Sequence, residues 1–182
     1  MKKVLLTCIL MAMASTSTGA FAAASEMVAN GGTIKFIGSV TDAPCAISMA
    51  LKDHVVIMKQ VRTAHLTSDG VASGQPTSFT VDLEDCDTTT YKNAALTFSG
   101  TADSSVTTAL ANQSTAADAA TNVALQIYDD KGTEIDLGTA STPVTLQDGT
   151  NKIPLKVDYV ASGGQATAGS VEATATVQIT YS

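Results

Sequence analysis

Tryptophan is absent, and four Tyr with four Phe are the only rings in a chain of 182 residues. A core built from so few large side chains has to be filled by Ala, Val, Ile and Leu. The abundance of Ala, Ser, Thr, Val and Gly favours many short strands over a helical bundle, in a single domain. Histidine is equally scarce. His54 and His65 have no Cys or His at ligand spacing, which excludes most metal centres, and no cofactor is expected. No Gly-x-Ser-x-Gly or other nucleophile elbow occurs, and no catalytic constellation can be assembled, so no enzyme is expected. The carboxylates in Glu84-Asp85-Cys86-Asp87 lack the loop pattern of an ion-binding segment and read as a solvated turn. Asn112-Gln113-Ser114 matches a glycan acceptor, a pattern short enough to arise by chance. There is no internal repeat and no long amphipathic helix, although residues 59–66 could form one turn.

Basic residues are few, ten against seventeen acidic. Two of the ten, Lys2 and Lys3, open a charged start followed by an apolar run over residues 4–14 and the small-x-small triplet Ala20-Phe21-Ala22. That order predicts a signal peptide over residues 1–22, and the apolar run is too short to span a bilayer. Cleavage there leaves 160 residues, with eight basic against seventeen acidic and no further membrane candidate. So acidic a chain is a poor match for nucleic acid, which needs clustered Lys and Arg. Of three cysteines, Cys8 leaves with the signal. Cys45 and Cys86 then form a single pair in an oxidising compartment and are expected to be disulfide-bonded.

Strands are expected near 47–58, 79–83, 95–100, 123–128, 152–160 and 171–181, separated by turn signals such as Asp69-Gly70, Asp130-Lys131-Gly132, Asp148-Gly149 and Gly163-Gly164. Residues 101–121 read as a loop or poorly specified edge. Six strands with one disulfide between the first and second suggest an immunoglobulin-like sandwich one strand short. The last segment alternates throughout, with Val171, Ala173, Ala175, Val177, Ile179 and Tyr181 on one face and polar residues on the other. Its position at the end of the sequence leaves two readings: a final edge strand blunted by its polar face, or a core-facing strand awaiting a partner from another chain. A second half-apolar segment lies ahead of the first cysteine, where Gly32, Ile34, Phe36, Gly38 and Val40 share a face before Asp42-Ala43-Pro44 breaks it.

Motifs in shared order across the mature chain carry a resemblance. They are Asn30-Gly-Gly-Thr33, Gly38 through Ala43-Pro-Cys45, Gln60-Val-Arg-Thr-Ala64, Leu83-Glu-Asp-Cys-Asp87, Ala120-Thr-Asn-Val123, Asn151-Lys-Ile-Pro154, Gly169 and the penultimate Tyr181. In these the chain resembles the major subunits of type 1 fimbriae, pilins of the chaperone–usher pathway. The resemblance implies an all-β, incomplete immunoglobulin-like β-sandwich that lacks its seventh strand and carries an N-terminal donor-strand extension. It implies a signal peptide at 1–22, the extension at 23–42 and the pilin domain at 43–182. Gly32, Ile34 and Phe36 would be donor residues. Gly169, Val171, Ala173, Ala175, Val177, Ile179 and Tyr181 would form the acceptor groove, which a periplasmic chaperone occupies first. The implied partners are that chaperone, an outer-membrane usher and identical or homologous pilins, and the implied destination is the cell-surface fimbria. A minor or adaptor subunit of the same pathway is the alternative. A tip adhesin would need a lectin domain for which 160 residues leave no room, and a copper–zinc dismutase would need more histidines than two.

Overall fold

A computed structural model describes residues 35, 38, 40, 42–48 and 55–182. The chain divides into two units, Met1–Ser39 and Val40–Ser182. Of the first unit only Lys35 and Gly38 are described, so the expected signal peptide and the expected donor residues Gly32, Ile34 and Phe36 lie outside the described residues, as does His54.

The described residues of the second unit form nine strands: β1 (Ala46–Ile47), β2 (Thr77–Cys86), β3 (Asn93–Gly100), β4 (Leu110–Ala111), β5 (Val123–Asp129), β6 (Glu134–Ile135), β7 (Val144–Thr145), β8 (Gly149–Ala161) and β9 (Ala175–Tyr181). A single 3-10 turn, Thr63–His65, falls where one turn was expected. The strands form two antiparallel sheets. The larger has the order β1-β2-β8-β5-β4 with β6 added to β5, and the smaller has the order β7-β3-β9. Their inner faces make the core of an immunoglobulin-like sandwich: Val81 and Leu83 from β2, Ile153, Leu155 and Val157 from β8, and Leu125 and Ile127 from β5 meet Leu96 and Phe98 from β3. Period-2 alternation places these side chains on one face, while Thr80, Glu84, Lys152 and Pro154 face solvent. Pro154 is tolerated because β5 reaches only to Leu155, leaving β8 with β2 alone beside it at that point.

Local chemistry explains where the structure departs from the expected strand map. Strand β5 is buried on both faces, because residues 101–109, expected as loop, fold over its outer side and cluster Ala109 with Ala124 and Val160. Gln126 is therefore buried in mid-strand with its amide satisfied: Thr108 donates to its Oε1 at 3.1 Å, and its Nε2 donates to the carbonyl of Ile135 at 3.1 Å. Of the expected first body strand, residues 49–54 lie outside the described residues; at its start Ala46–Ile47 pair with Glu84 and Leu83, and Ser48 donates its N–H to the carbonyl of Asp82 at 3.1 Å. Residues 55–58 alternate, with Val55 and Ile57 exposed at 79% and 85% and Val56 and Met58 packed against the core, and no strand among the described residues pairs with them. The last strand starts later than expected, at Ala175 rather than residue 171.

Cys45 and Cys86 are bonded to each other, both buried, at the point where β1 meets the end of β2. The ladder between β2 and β8 shifts between Leu83 and Cys86, and Asp85 takes up the irregularity with φ 52°. Next to the bond, Asp87 donates its N–H to the carbonyl of Pro44 at 2.9 Å. Cys86→Ser is expected to lower unfolding free energy by about 2–5 kcal/mol. Chemical denaturation of the purified variant measures this, and a loss under about 1 kcal/mol would mean that β1 is held by its ladder instead.

Candidate acceptor cleft

Strand β9 has β3 on one side and no strand on the other among the described residues. The hydrogen-bond pattern fixes which of its groups face that open side. Ser182 and Asn93 exchange both backbone bonds, at 3.0 and 2.9 Å, just beyond the Ala94–Tyr181 pair. In an antiparallel ladder such pairs alternate, so the even-numbered residues of β9 bond to β3 and the odd-numbered ones turn their N–H and C=O groups away from it. The same parity continues beyond the ladder, where the Glu172 carbonyl accepts from the N–H of Gln113 at 2.7 Å. The N–H groups of Glu172 and Thr174 are taken by the side chains of Asn112 and Gln113. Among the described residues, the backbone groups of Val171, Ala173, Ala175, Val177, Ile179 and Tyr181 therefore form one continuous unpaired row.

An open apolar cleft of about 690 Å³ runs beside this row. One wall is residues 171–175 with Val177, and the other is residues 55–58. The floor is Phe79 and Val81 of β2, Phe98 of β3, Leu125 and Ile127 of β5, and Val157 and Tyr159 of β8. Val171, Ala173, Val177, Ile179 and Tyr181 pack against the core yet remain half-exposed, and Ala175 is exposed. Apolar side chains that touch a core on one side and solvent on the other leave transfer free energy unused, about 25 cal/mol for each Å² still wet. The hydroxyl of Tyr181 is buried without a hydrogen-bond partner, and burial raises its pKa.

Towards residue 169 a second hollow of about 440 Å³ shares Tyr159 and Val171 with the cleft and is bordered by Gln60, Val61, Arg62 and Thr63. Gly169 sits at this end. A parallel bridge joins Ser170 to Ala119; Ala120 donates to the Ser170 carbonyl at 2.9 Å, and Ser170 donates to the Asp118 carbonyl at 3.0 Å. A Cβ on Gly169 would lie 2.1 Å from the Asp118 oxygen and 2.5 Å from the Ala120 nitrogen, so only glycine permits this backbone approach. The resemblance singled out Gly169 but could not supply this contact, which is made to a segment fifty residues away along the chain.

The remaining candidate groups do not converge. His65 is exposed, and no cluster of three His, Cys, Asp or Glu side chains able to hold a metal occurs among the described residues. In the acidic run after β2, Asp87 accepts from the N–H of Thr89 at 2.9 Å, and hydrogen bonding from Thr89 lowers its pKa. Asp148 accepts from the N–H of Thr88 at 2.9 Å, so the run closes a turn against a neighbouring loop.

Gly169→Ala is expected to cost about 1–3 kcal/mol by overpacking and to displace residues 118–120. Thermal unfolding with amide chemical shifts of Ala119 and Ala120 checks both, and an unshifted Ala119 resonance in a stable variant would contradict the contact.

With this geometry in view, the chain was compared with known proteins. The family model described as fimbrial protein matches residues 34–182. The type-1 fimbrial protein C chain of Escherichia coli is 46% identical over 160 residues, covering 87% of this chain and 88% of that one. The laminin-binding fimbrial subunit ElfA of Escherichia coli O157:H7 is 42% identical over 182 residues, covering 100% and 99%. Among solved structures, a Burkholderia pseudomallei antigen and type I fimbria protein is similar at 36% identity and a TM-score of 0.58, covering 82% of this chain and 97% of that one. A subunit from a chaperone–usher pilus, in a structure described as revealing the molecular basis of rod uncoiling, shares the fold at 24% identity and a TM-score of 0.70, covering 87% and 100%. These relatives are fimbrial subunits and not enzymes. The chain belongs to the fimbrial protein family, as a subunit exported to the cell-surface fimbria.

Proposed function

We propose that this chain is a structural subunit of the fimbrial shaft and polymerises by strand donation. In this reading residues 1–22 are the signal peptide, residues 23–42 the donor extension and residues 43–182 the accepting domain. Residues around Gly32, Ile34 and Phe36 of one copy enter the cleft of the next, and Val171, Ala173, Ala175, Val177, Ile179 and Tyr181 receive them. The observation that carries this is the coincidence, along residues 171–177, of a backbone row unpaired among the described residues with a half-covered apolar cleft. An incoming extended segment satisfies both at once, by ladder bonds at its edge and by side chains placed alternately into the cleft.

Energetics favour assembly over an isolated subunit. Burying Ile34 and Phe36 stabilises the contact by about 1.5–3 kcal/mol each, before any ladder bond is counted. The donor lies at one end of the sequence and the acceptor at the other, so the contact is head to tail and propagates into a filament. A row of unpaired N–H and C=O groups is also an aggregation hazard before assembly. A periplasmic chaperone that covers the cleft, and an outer-membrane usher at which the donor replaces it, meet that hazard. The work is mechanical and requires no catalysis. A shaft role is preferred to a minor or adaptor role because the chain matches type-1 subunits over nearly its full length. Adhesion belongs to the assembled filament, and the relative named as laminin-binding makes matrix protein the first surface to assay.

Deletion of residues 23–36 separates giving from accepting. The shortened chain is expected to fold and to take up a synthetic peptide spanning residues 23–40, with a rise in melting temperature as ligand linkage requires. It should be unable to extend a fibre, and Phe36→Asp should act likewise by setting a charge in an apolar cleft. Electron microscopy of cells expressing each variant reads out filaments. Normal filaments from the deleted chain would overturn the proposal.

A further inference from the structure

We propose that Asn112 and Gln113 are positioning residues for strand acceptance, a role that rests on the reading above. The half of the C-terminal edge that borders the cleft is not held by a strand. Strand β3 ends at Gly100, whose partner is Ala175. Yet the cleft wall is residues 171–175 with Val177, lying mostly beyond the end of that ladder, while Ile179 and Tyr181, secured by β3, are not part of it.

Two consecutive residues take over where β3 stops. Asn112 donates from Nδ2 to the carbonyls of Ala120 at 2.8 Å and Ser170 at 3.1 Å, and its Oδ1 accepts from the N–H groups of Ser114 and Glu172, both at 3.0 Å. An asparagine amide offers two donors and two acceptor positions, and all four are used. The orientation of the amide is fixed by its partners, because a flip would set its oxygen against two carbonyls and its nitrogen against two N–H groups. Gln113 adds its N–H to the Glu172 carbonyl at 2.7 Å and its Oε1 to the N–H of Thr174 at 3.3 Å, while its Nε2 reaches Thr101 at 3.0 Å.

These contacts reproduce a ladder. They engage the backbone of Ser170, Glu172 and Thr174, the even-numbered set that β3 engages from residue 176 onward, so Val171 and Ala173 keep their backbone groups pointed at the open side. Asn112 and Gln113 follow directly on β4, which is paired to β5 in the larger sheet. They therefore bind the wall of the cleft to the sheet that supplies most of its floor. The Asn112-Gln113-Ser114 sequence matches a glycan acceptor, but its amide is committed to this clamp. Without the clamp, the 171–174 segment has the parallel contact at Ser170 on one side and the first β9 pair on the other, with no ladder between. A donor would then meet an edge whose register is set over only half its length.

The test compares the full chain with its Asn112→Ala and Gln113→Ala variants, using a synthetic peptide spanning residues 23–40 as the probe. Peptide uptake and amide hydrogen exchange are measured together. In the parent chain the peptide is expected to protect Val171, Ala173, Val177 and Ile179. In both variants uptake should slow by about tenfold or more. Val177 and Ile179 should still become protected while Val171 and Ala173 do not. In the peptide-free chains, Glu172 should exchange faster in Asn112→Ala, and Thr174 in Gln113→Ala. A merely structural role would lower protection evenly along residues 171–181, and that outcome, or parental rates and protection in both variants, overturns the proposal. Gln113→Ala removes fewer contacts, so it serves if Asn112→Ala does not fold. A parent chain that takes up no peptide overturns the strand-donation reading itself, which separates the two failures.

Discussion

An antiparallel strand has two edges, and in β9 one of them is occupied by β3 while the other has no strand among the described residues. Much else in the domain follows from that single unpaired row. The odd-numbered residues are half-exposed because the neighbour that would cover them is not part of the described fold. The cleft is open because the two sheets face one another without a strand between residues 55–58 and 171–177. Backbone polar groups beside apolar surface are poorly served by water alone, since covering the apolar side buries them as well. The arrangement is resolved most economically by another extended segment, which brings both missing partners.

The fold was legible wherever alternation reports a face. The strands expected at 79–83, 95–100, 123–128 and 152–160 fall within β2, β3, β5 and β8, and the alternation over 171–181 put Val171, Ala173, Val177, Ile179 and Tyr181 against the core, with Ala175 left exposed. The pairing of Cys45 with Cys86 followed from their isolation. Alternation does not report partners. Residues 171–174 have the side-chain pattern of a strand whether a ladder, a side-chain clamp or nothing lies beside them, so the last strand was drawn too long. Strands β4, β6 and β7 have two residues each and leave no periodic trace. The burial of Gln126 was not legible because a sequence does not show that residues 101–109 return to cover it. The clamp at Asn112 was hidden for the same reason: its partners are at residues 120, 170 and 172, and only the tertiary fold brings them together.

On the proposed reading, stability and assembly are linked in this family member. The disulfide and the tight backbone approach at Gly169 hold the domain together where its ladders are short. The cleft remains the place where free energy is still available. Filling it with a segment of the same subunit would end the process at one copy. Under the proposed strand donation, a segment from the next copy would stabilise the first and leave that next copy with an open cleft of its own, which is what a filament needs.

The most direct test of this account is solid-state NMR of filaments assembled from a mixture of two populations of the chain. One carries labelled Phe and the other labelled Val methyl groups. The account predicts contacts between the Phe36 ring of one population and the methyls of Val171 or Val177 of the other. Assignment by Phe36→Leu, which should remove those cross-peaks, makes the result specific. Filaments that show no contact between the two populations at these residues, or in which the contact occurs only when both labels sit in one chain, would contradict it.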